Sequence, residues 1–405
     1  MKVCLLSPNF PPEVHAGTEM AVSALALALR RRGVEVVVLT SSDLPHDGVD
    51  EIHERYDGLR VLRAKKRTDE WDQSELLRPR LVELVDRFVA AERPDVVHNH
   101  SLSVFGTGHV ARALRRGIPT VMTIHDLWVT CARFFRLPPA GIVCPQDTDR
   151  TTCARCVNLT LGHPDVGHVH EVLRGRERAI VAETDGMRWL SAPSRTAADL
   201  VERCMPFARA VEVVPHGLLG EPARMARARA PQPGERLRIG TFGNLVEPKG
   251  VLELVRAVAG IDCELHLAGA FLGAEFEARV RALAAELGIA LTCHGPYDPR
   301  APHPAERLHL AVFASKCQET YGLVVDEALA RGVPVVVSDS GALAERAGTG
   351  GVVVTALPSL TAVVHDLARD RDRLQRLAAA VPKALPTIDD AAARYVELYR
   401  AAGAS

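Results

Sequence analysis

The amino-acid sequence predicts an α/β protein of two Rossmann-like domains, each a parallel sheet with helices on both faces. Three observations carry this expectation. Short apolar, β-branched stretches alternate with helical periodicity along the chain, the pattern of parallel sheets covered on both faces. The alternation comes in two runs, separated by residues 215–235, which are rich in Pro, Gly, Ala and Arg and read as a linker. The length of 405 residues suits two domains that each bury a core.

In the first run, residues 3–7, 34–40, 96–98, 120–124, 189–192 and 211–214 read as strands, and 20–32 as a helix. In the second, 237–241, 264–268, 311–314 and 335–338 read as strands, and 251–259 and 322–331 as helices. The expected domains are residues 1–215 and 216–385, with 386–405 as a closing segment whose helix, 391–401, is amphipathic. Ligands of open α/β sheets bind beyond the carboxyl ends of the strands, so two facing domains are expected to share a cleft near the linker.

Hydrophobic content of 47% and charged content of 24% are ordinary for a globular chain. A net charge of −1 provides no global attraction to nucleic acid or to an anionic membrane. No apolar run approaches the roughly 20 residues that span a bilayer. The opening MKVCLLSPNFPPE is too short in apolar residues for a signal peptide and is broken by Pro8, Pro11 and Pro12, so a cytoplasmic protein is expected. Nine cysteines, an odd number, fit a reducing compartment better than a disulfide framework.

The most informative stretch is SKCQETYGLVVDEALARGVPVVVSDSGALAE, in which Glu319 and Glu327 have seven residues between them. Eight helical positions span roughly 12 Å at most. A helix start at Thr320–Leu323 lies between the two carboxylates, and its unpaired N–H groups and dipole favour an anion. An anion held between two hydroxyl-binding carboxylates matches a sugar–diphosphate–ribose molecule. Upstream, LRIGTFGNLVEPKG runs from a strand into a loop where Gly243 allows close backbone approach and Lys249 supplies a point charge for a diphosphate. In the first run, Gly17 precedes a helix, His98 and His100 end one strand, His125-Asp126 ends the next, and His216-Gly217 lies at the linker.

In this order, these stretches resemble the retaining glycosyltransferases of family GT4, which have the GT-B fold, and the resemblance runs from Met1 to about Ser405. It implies that Glu319 binds hydroxyls of the transferred sugar. Backbone at Tyr321, Gly322 and Leu323 would contact sugar and phosphate, and Glu327 would bind the ribose, with the base near residues 294–296. It further implies that Gly17 approaches phosphate or acceptor, that His125 touches the donor sugar, and that His100 and Asp126 line the acceptor side. The closing helix would cross back onto the first domain. Two departures stand out. Asn244 occupies the place of an arginine that usually shares the diphosphate with Lys249, and Ala16-Gly17 replaces a Gly-Gly pair.

Cys131, Cys144, Cys153 and Cys156 fall within 26 residues just after His125-Asp126. Four thiolates at this density suit a tetrahedral structural Zn²⁺. An iron–sulfur cluster has the same ligand count, and four unligated cysteines in a loop are the plain alternative. His163, His168 and His170 lie near enough in sequence to substitute for one thiol. Arg133, Phe134, Phe135 and Arg136 are candidate acceptor contacts. The basic run at residues 60–67, RVLRAKKR, is expected to be a solvated loop; some members of the family approach membranes through such a face.

The expected function is transfer of a sugar from a nucleoside-diphosphate sugar, UDP foremost, to a hydroxyl of a small-molecule natural product or a saccharide, with retained anomeric configuration and no cofactor for the chemistry. Nucleic acid is not an expected partner, and membrane association is not indicated. The alternatives are a GT-B sugar-nucleotide enzyme that is not a transferase, such as a phosphorylase or epimerase, and a silent nucleotide-sugar-binding module.

Overall fold

The structure, a computed structural model, describes residues 1–44, 50–67, 76–140, 142, 144–220, 225, 227–229, 231–232, 234–298 and 301–404. The chain divides into two units, Met1–Leu219 with Thr387–Ser405, and Gly220–Pro386. Among the described residues no helix is long and apolar enough to cross a membrane.

The first unit runs β1 (Lys2–Ser7), α1 (Gly17–Arg31), β2 (Glu35–Ser42), β3 (Glu51–Tyr56), β4 (Leu59–Lys65), α2 (Pro79–Glu92), β5 (Val96–Asn99), α3 (His109–Arg115), β6 (Thr120–Thr123), α4 (Thr151–Leu161), α5 (Val166–Asp185), β7 (Leu190–Ala192), α6 (Arg195–Cys204) and β8 (Val211–Val213). Its sheet has the order β3-β4-β2-β1-β5-β6-β7-β8. The pairings are parallel except for the β3–β4 hairpin. That hairpin turns on Asp57-Gly58, both at positive φ (45° and 79°), the two-residue turn whose twist suits flanking strands.

The hairpin corrects the reading of residues 60–67. They are not a solvated loop: Leu59–Lys65 is a strand paired with β2, and Leu59, Val61, Leu62, Arg63 and Ala64 are buried. Arg63 is only 1% exposed, and each of its three guanidinium nitrogens has a partner. Nε donates to Glu54 (2.6 Å), Nη1 to the Phe10 carbonyl (2.9 Å) and Nη2 to the Pro11 carbonyl (2.5 Å).

The second unit runs β9 (Leu237–Phe242), α7 (Val251–Ala257), β10 (Cys263–Ala268), α8 (Ala274–Glu286), β11 (Ala290–Cys293), β12 (Leu310–Phe313), α9 (Leu323–Ala330), β13 (Val335–Ser338), β14 (Val352–Thr355), α10 (Leu360–Arg369) and α11 (Arg371–Ala379). Its sheet, β11-β10-β9-β12-β13-β14, is parallel throughout. Val335, Val336 and Val337 are each 0% exposed, as a strand covered on both faces requires.

The last helix, α12 (Ile388–Ala401), belongs to the first unit. Its N-terminus carries a reciprocal cap between Thr387 and Asp390. Its apolar face (Ile388, Ala391, Ala392, Tyr395, Leu398 and Tyr399) joins Val22, Leu25, Ala26 and Leu29 of α1 in one core. Trp189 packs there too and donates Nε1–H to the Leu398 carbonyl at 3.3 Å.

Candidate functional site

In the second unit, the site is assembled where the β9 and β12 strands end. Gly243, directly after β9, has φ 105°. A Cβ on Gly269, after β10, would fall 1.7 Å from the Gly243 carbonyl oxygen, so these two strand ends meet only because residue 269 has no side chain. The chain then makes a 3₁₀ turn over Glu247–Lys249 and leaves it through Gly250 at φ 72°, where a Cβ would fall 1.7 Å from the Ala314 carbonyl oxygen. This approach sets Lys249 against the loop that follows β12. Lys249 Nζ lies 2.7 and 2.8 Å from the two carboxylate oxygens of Glu319. Ser315 Oγ donates to Glu319 Oε1 at 2.7 Å. Burial pushes the Lys249 ammonium down, but the charge and hydrogen bonds of Glu319 outweigh it and hold the group above its ordinary range. The lysine remains 36% exposed and Glu319 14%. Asn244 is exposed beside Gly243.

The loop from Glu319 enters α9 through Gly322 at φ 86°. Tyr321 before it is buried, with the Arg346 guanidinium 4.9 Å from its ring centre. Arg346 in turn pairs with the buried Asp326 at 2.9 Å. Leu323 is the first helical residue and Glu327 lies one turn on. Glu327 Oε2 is 3.6 Å from His303 Nε2, and its backbone carbonyl accepts from Arg331 Nη1 at 2.9 Å. His303 packs edge-on to Phe242 and Tyr297, with ring centres 4.8 and 5.3 Å apart. Burial, with Glu327 nearby, drives the Tyr297 hydroxyl well above its ordinary range. The structure thus adds His303 and Tyr297 to the surroundings of Glu327. His294 instead stacks on His266, the two rings 9° from parallel. No spacing links residue 303 to residue 327; the signal for His303 was local, a His-Pro-x-Glu helix start with a reciprocal cap to Glu306.

In the first unit, four histidines come from the ends of three strands. His98 Nδ1 is 2.6 Å from the Tyr399 hydroxyl, and His98 Nε2 is 2.8 Å from Thr123 Oγ1. The His98 and His100 rings lie 4.0 Å apart. His100 Nδ1 is 2.8 Å from His125 Nε2, and His125 Nδ1 is 3.2 Å from His216 Nε2. Burial, reinforced by histidine neighbours, pushes His98, His100 and His125 well below the ordinary imidazole range. Burial takes His216 down to about 4. Asp126 accepts the Trp128 N–H at 2.8 Å, and burial raises its carboxyl. Gly17 is the exposed first residue of α1, preceded by Ala16 without a side-chain cap.

Arg133 belongs to a different place, the insert between β6 and α5. Its guanidinium donates to Thr160 on α4. The insert lines an open pocket, bordered by Cys131, Cys144, Cys153 and Cys156 together with Arg133, Arg136, Arg150 and Arg176. All four cysteines are free thiols. Burial raises Cys144 to about 11. Among the described residues, no group of three or more His, Cys, Asp or Glu side chains is arranged to hold a metal ion. The thiols border one pocket without closing into a coordination shell, and His163 hydrogen-bonds to Asp165 and stacks on His168.

The chain is 27% identical to the D-inositol 3-phosphate glycosyltransferase of Nocardia farcinica, over 93% of this chain and 83% of that protein. It is 26% identical to a GDP-mannose-dependent alpha-mannosyltransferase of Mycolicibacterium smegmatis, over 84% of this chain and 80% of that one. Its fold is similar to that of Anabaena HepE solved in complex with UDP and glucose, with a TM-score of 0.69 at 15% identity over 99% of this chain and 100% of that one. Two parallel-sheet α/β units of this kind are the GT-B architecture. The family model of glycosyltransferase family 4 matches residues 15–218, the model of glycosyl transferases group 1 matches residues 236–370, and the chain is a glycosyltransferase of family 4.

Proposed function

We propose that the protein transfers a hexosyl group from a nucleoside-diphosphate sugar to an acceptor hydroxyl with retention of anomeric configuration. The observation that carries this reading is the Lys249–Glu319 pair at the strand ends, followed by Glu327 one turn into α9. Lys249 spends two of its three N–H bonds on Glu319, which leaves one for a diphosphate oxygen. Backbone N–H groups from Tyr321 to Leu323 add the helix-start contribution. Glu319 accepts from sugar hydroxyls and Glu327 from the ribose, with His303 and Tyr297 beside it. The acceptor hydroxyl attacks the face from which the diphosphate leaves, and a departing phosphate oxygen takes its proton. The protein contributes orientation and stabilisation of the developing diphosphate charge.

In this reading the second unit is the donor side. The first is the acceptor side, with His100, Asp126 and Arg133, while Gly17 is read as approaching phosphate or acceptor and His125 as touching the transferred sugar. HepE bound to UDP supports UDP as the donor base. The acceptor is a small-molecule natural product or a saccharide; a relative named for inositol phosphate supports a polyol hydroxyl. For the cysteine insert we propose a structural zinc, outside the chemistry. Its support is the pocket that all four cysteines border.

The test is thermal stability against UDP, GDP, ADP and their sugars, with Glu327→Ala alongside. A charged hydrogen-bond partner contributes about 1.5–3 kcal/mol, so the stabilisation by one nucleotide should fall at least tenfold in apparent affinity in the variant. No stabilisation by any nucleotide overturns the reading. Asn244, uncharged where a second cation would sit, favours one rival, a module that binds nucleotide sugar without turnover. Nucleotide release that depends on an added polyol or saccharide acceptor excludes that rival.

A further inference from the structure

We infer that His100 and His216 are positioning residues that hold His125 as a neutral imidazole with its proton on Nδ1, in a head-to-tail chain of three rings. The inference deepens the acceptor-side reading above and rests on it for its catalytic meaning, but not for its geometry. An N···N hydrogen bond holds one proton. Two such bonds meet at His125, through Nε2 to His100 and through Nδ1 to His216. A neutral His125 has one N–H and must therefore donate at one end and accept at the other.

Only two arrangements satisfy both bonds with neutral rings. In the first, His216 donates to His125, His125 donates to His100, and the proton of His100 is forced onto Nε2. In the second, His100 donates from Nδ1 to His125, His125 donates from Nδ1 to His216, and Nε2 of His100 carries only a lone pair. His100 decides between them. It is 1% exposed, and among the described residues its Nε2 is buried without a hydrogen-bond partner. A stranded N–H is the rarer and costlier defect, whereas an under-used acceptor is better tolerated. The second arrangement follows.

The same atom opposes protonation of His125. An imidazolium there would donate to both neighbours and again drive the His100 proton onto Nε2. The low proton affinity of all three rings agrees with this; the neighbours acting on His125 are themselves histidines, His216 and His100. His98, tilted against His100 with ring centres 4.0 Å apart and anchored by Tyr399 and Thr123, fixes the far side of the chain. Both ring nitrogens of His125 are thereby engaged within the protein. Its ring serves to shape and orient the acceptor side, and not as a general acid or base.

The experiment is long-range ¹H–¹⁵N correlation on the full-length protein carrying ¹⁵N-histidine, between about pH 5 and about pH 8, a range that brackets the ordinary imidazole titration. The expected result is a His125 that stays neutral throughout with Nδ1 protonated. His100→Leu removes the donor, so His125 should show mixed tautomers and begin to titrate. His100→Gln, whose amide donates in place of the ring, should restore the wild-type tautomer. His216→Leu probes the other end if the first variant does not fold: it removes the acceptor of the Nδ1 proton, each arrangement then strands one N–H, and His125 should show mixed tautomers. A wild-type His125 protonated on Nε2, or titrating near about 6.5, overturns the inference, as does an unchanged tautomer in the leucine variants. These spectra are read without turnover, so failure of the transferase reading and failure of the tautomer assignment are separate results.

Discussion

At the residue scale, the Lys249–Glu319 pair separates a functional charge from a stabilising one. The lysine is about one-third exposed, and an ion pair with that much solvent contributes little to folding. Its ammonium nonetheless faces the strand ends where a departing diphosphate would gather charge. Lys249→Ala is therefore expected to lower kcat/KM by roughly 10–100-fold, the equivalent of about 1.5–3 kcal/mol. The denaturation midpoint should move little. Steady-state kinetics beside urea denaturation checks both, and wild-type turnover would remove Lys249 from the donor site. The sequence makes this pair legible because Lys249 lies in a glycine-containing loop after a strand and Glu319 stands just ahead of a helix start. It could not reveal that the two side chains bind each other. That depends on Gly250 closing onto Ala314, a tertiary approach with no signature at residue 319. His303 stayed hidden for the same kind of reason, since its neighbours Phe242, Tyr297 and Glu327 come from three separate segments.

At the element scale, the strands that the sequence shows most plainly are the fully buried ones, where runs such as Val335–Ser338 leave no polar face to confuse the pattern. The strands missed lie towards sheet edges. β11 alternates exposed and half-buried residues, and β14 is short and only partly covered. β4 was obscured by its charges, although Asp57-Gly58 was a hairpin signal in plain sight. Arg63 reads as a surface residue until its three partners are known. Arg63→Met should destabilise the first unit by about 2–3 kcal/mol, because it strands two buried carbonyls and leaves Glu54 unpaired. The lower half of that range is favoured by Glu54, which is partly exposed. A denaturant midpoint equal to wild type would mean that the hairpin relaxes around the loss. The cysteine insert offers a compositional signal without a closed geometry. Protein purified without chelators should contain one zinc per chain by elemental mass spectrometry, and Cys153→Ser should release it. Metal-free protein with four freely titrating thiols would end the zinc proposal, as would iron with acid-labile sulfide.

At the scale of the whole molecule, the chain leaves the first unit at Leu219 and returns at Thr387, so the first unit is completed only by α12. That helix brings Tyr395 and Tyr399 against Thr123 and His98, joining the C-terminal core to the histidine chain. The consequence is a stability that depends on pH. The four imidazoles are held neutral in the folded state, with affinities for protons below the ordinary value. Unfolding releases them to titrate near about 6.5. Below that pH the unfolded chain binds more protons than the folded one, so stability is full above about 6.5 and falls as the pH falls. For His216 alone, lowered to about 4, complete loss corresponds to about 3 kcal/mol at roughly 1.4 kcal/mol per pH unit. Glu19 and Asp126 act in the opposite sense, because burial raises their carboxyls and the folded state takes up their protons first. They stand against the four imidazoles and His109, which burial lowers as well, and they begin to titrate from a lower ordinary value. The net expectation is a melting temperature that declines as the pH is lowered from about 7.5 to about 5. All three tryptophans precede residue 190, so tryptophan fluorescence reports the first unit. A flat melting temperature over that interval would mean that the histidine chain takes up protons without strain. The tyrosines of α12 would then be packing groups and nothing more.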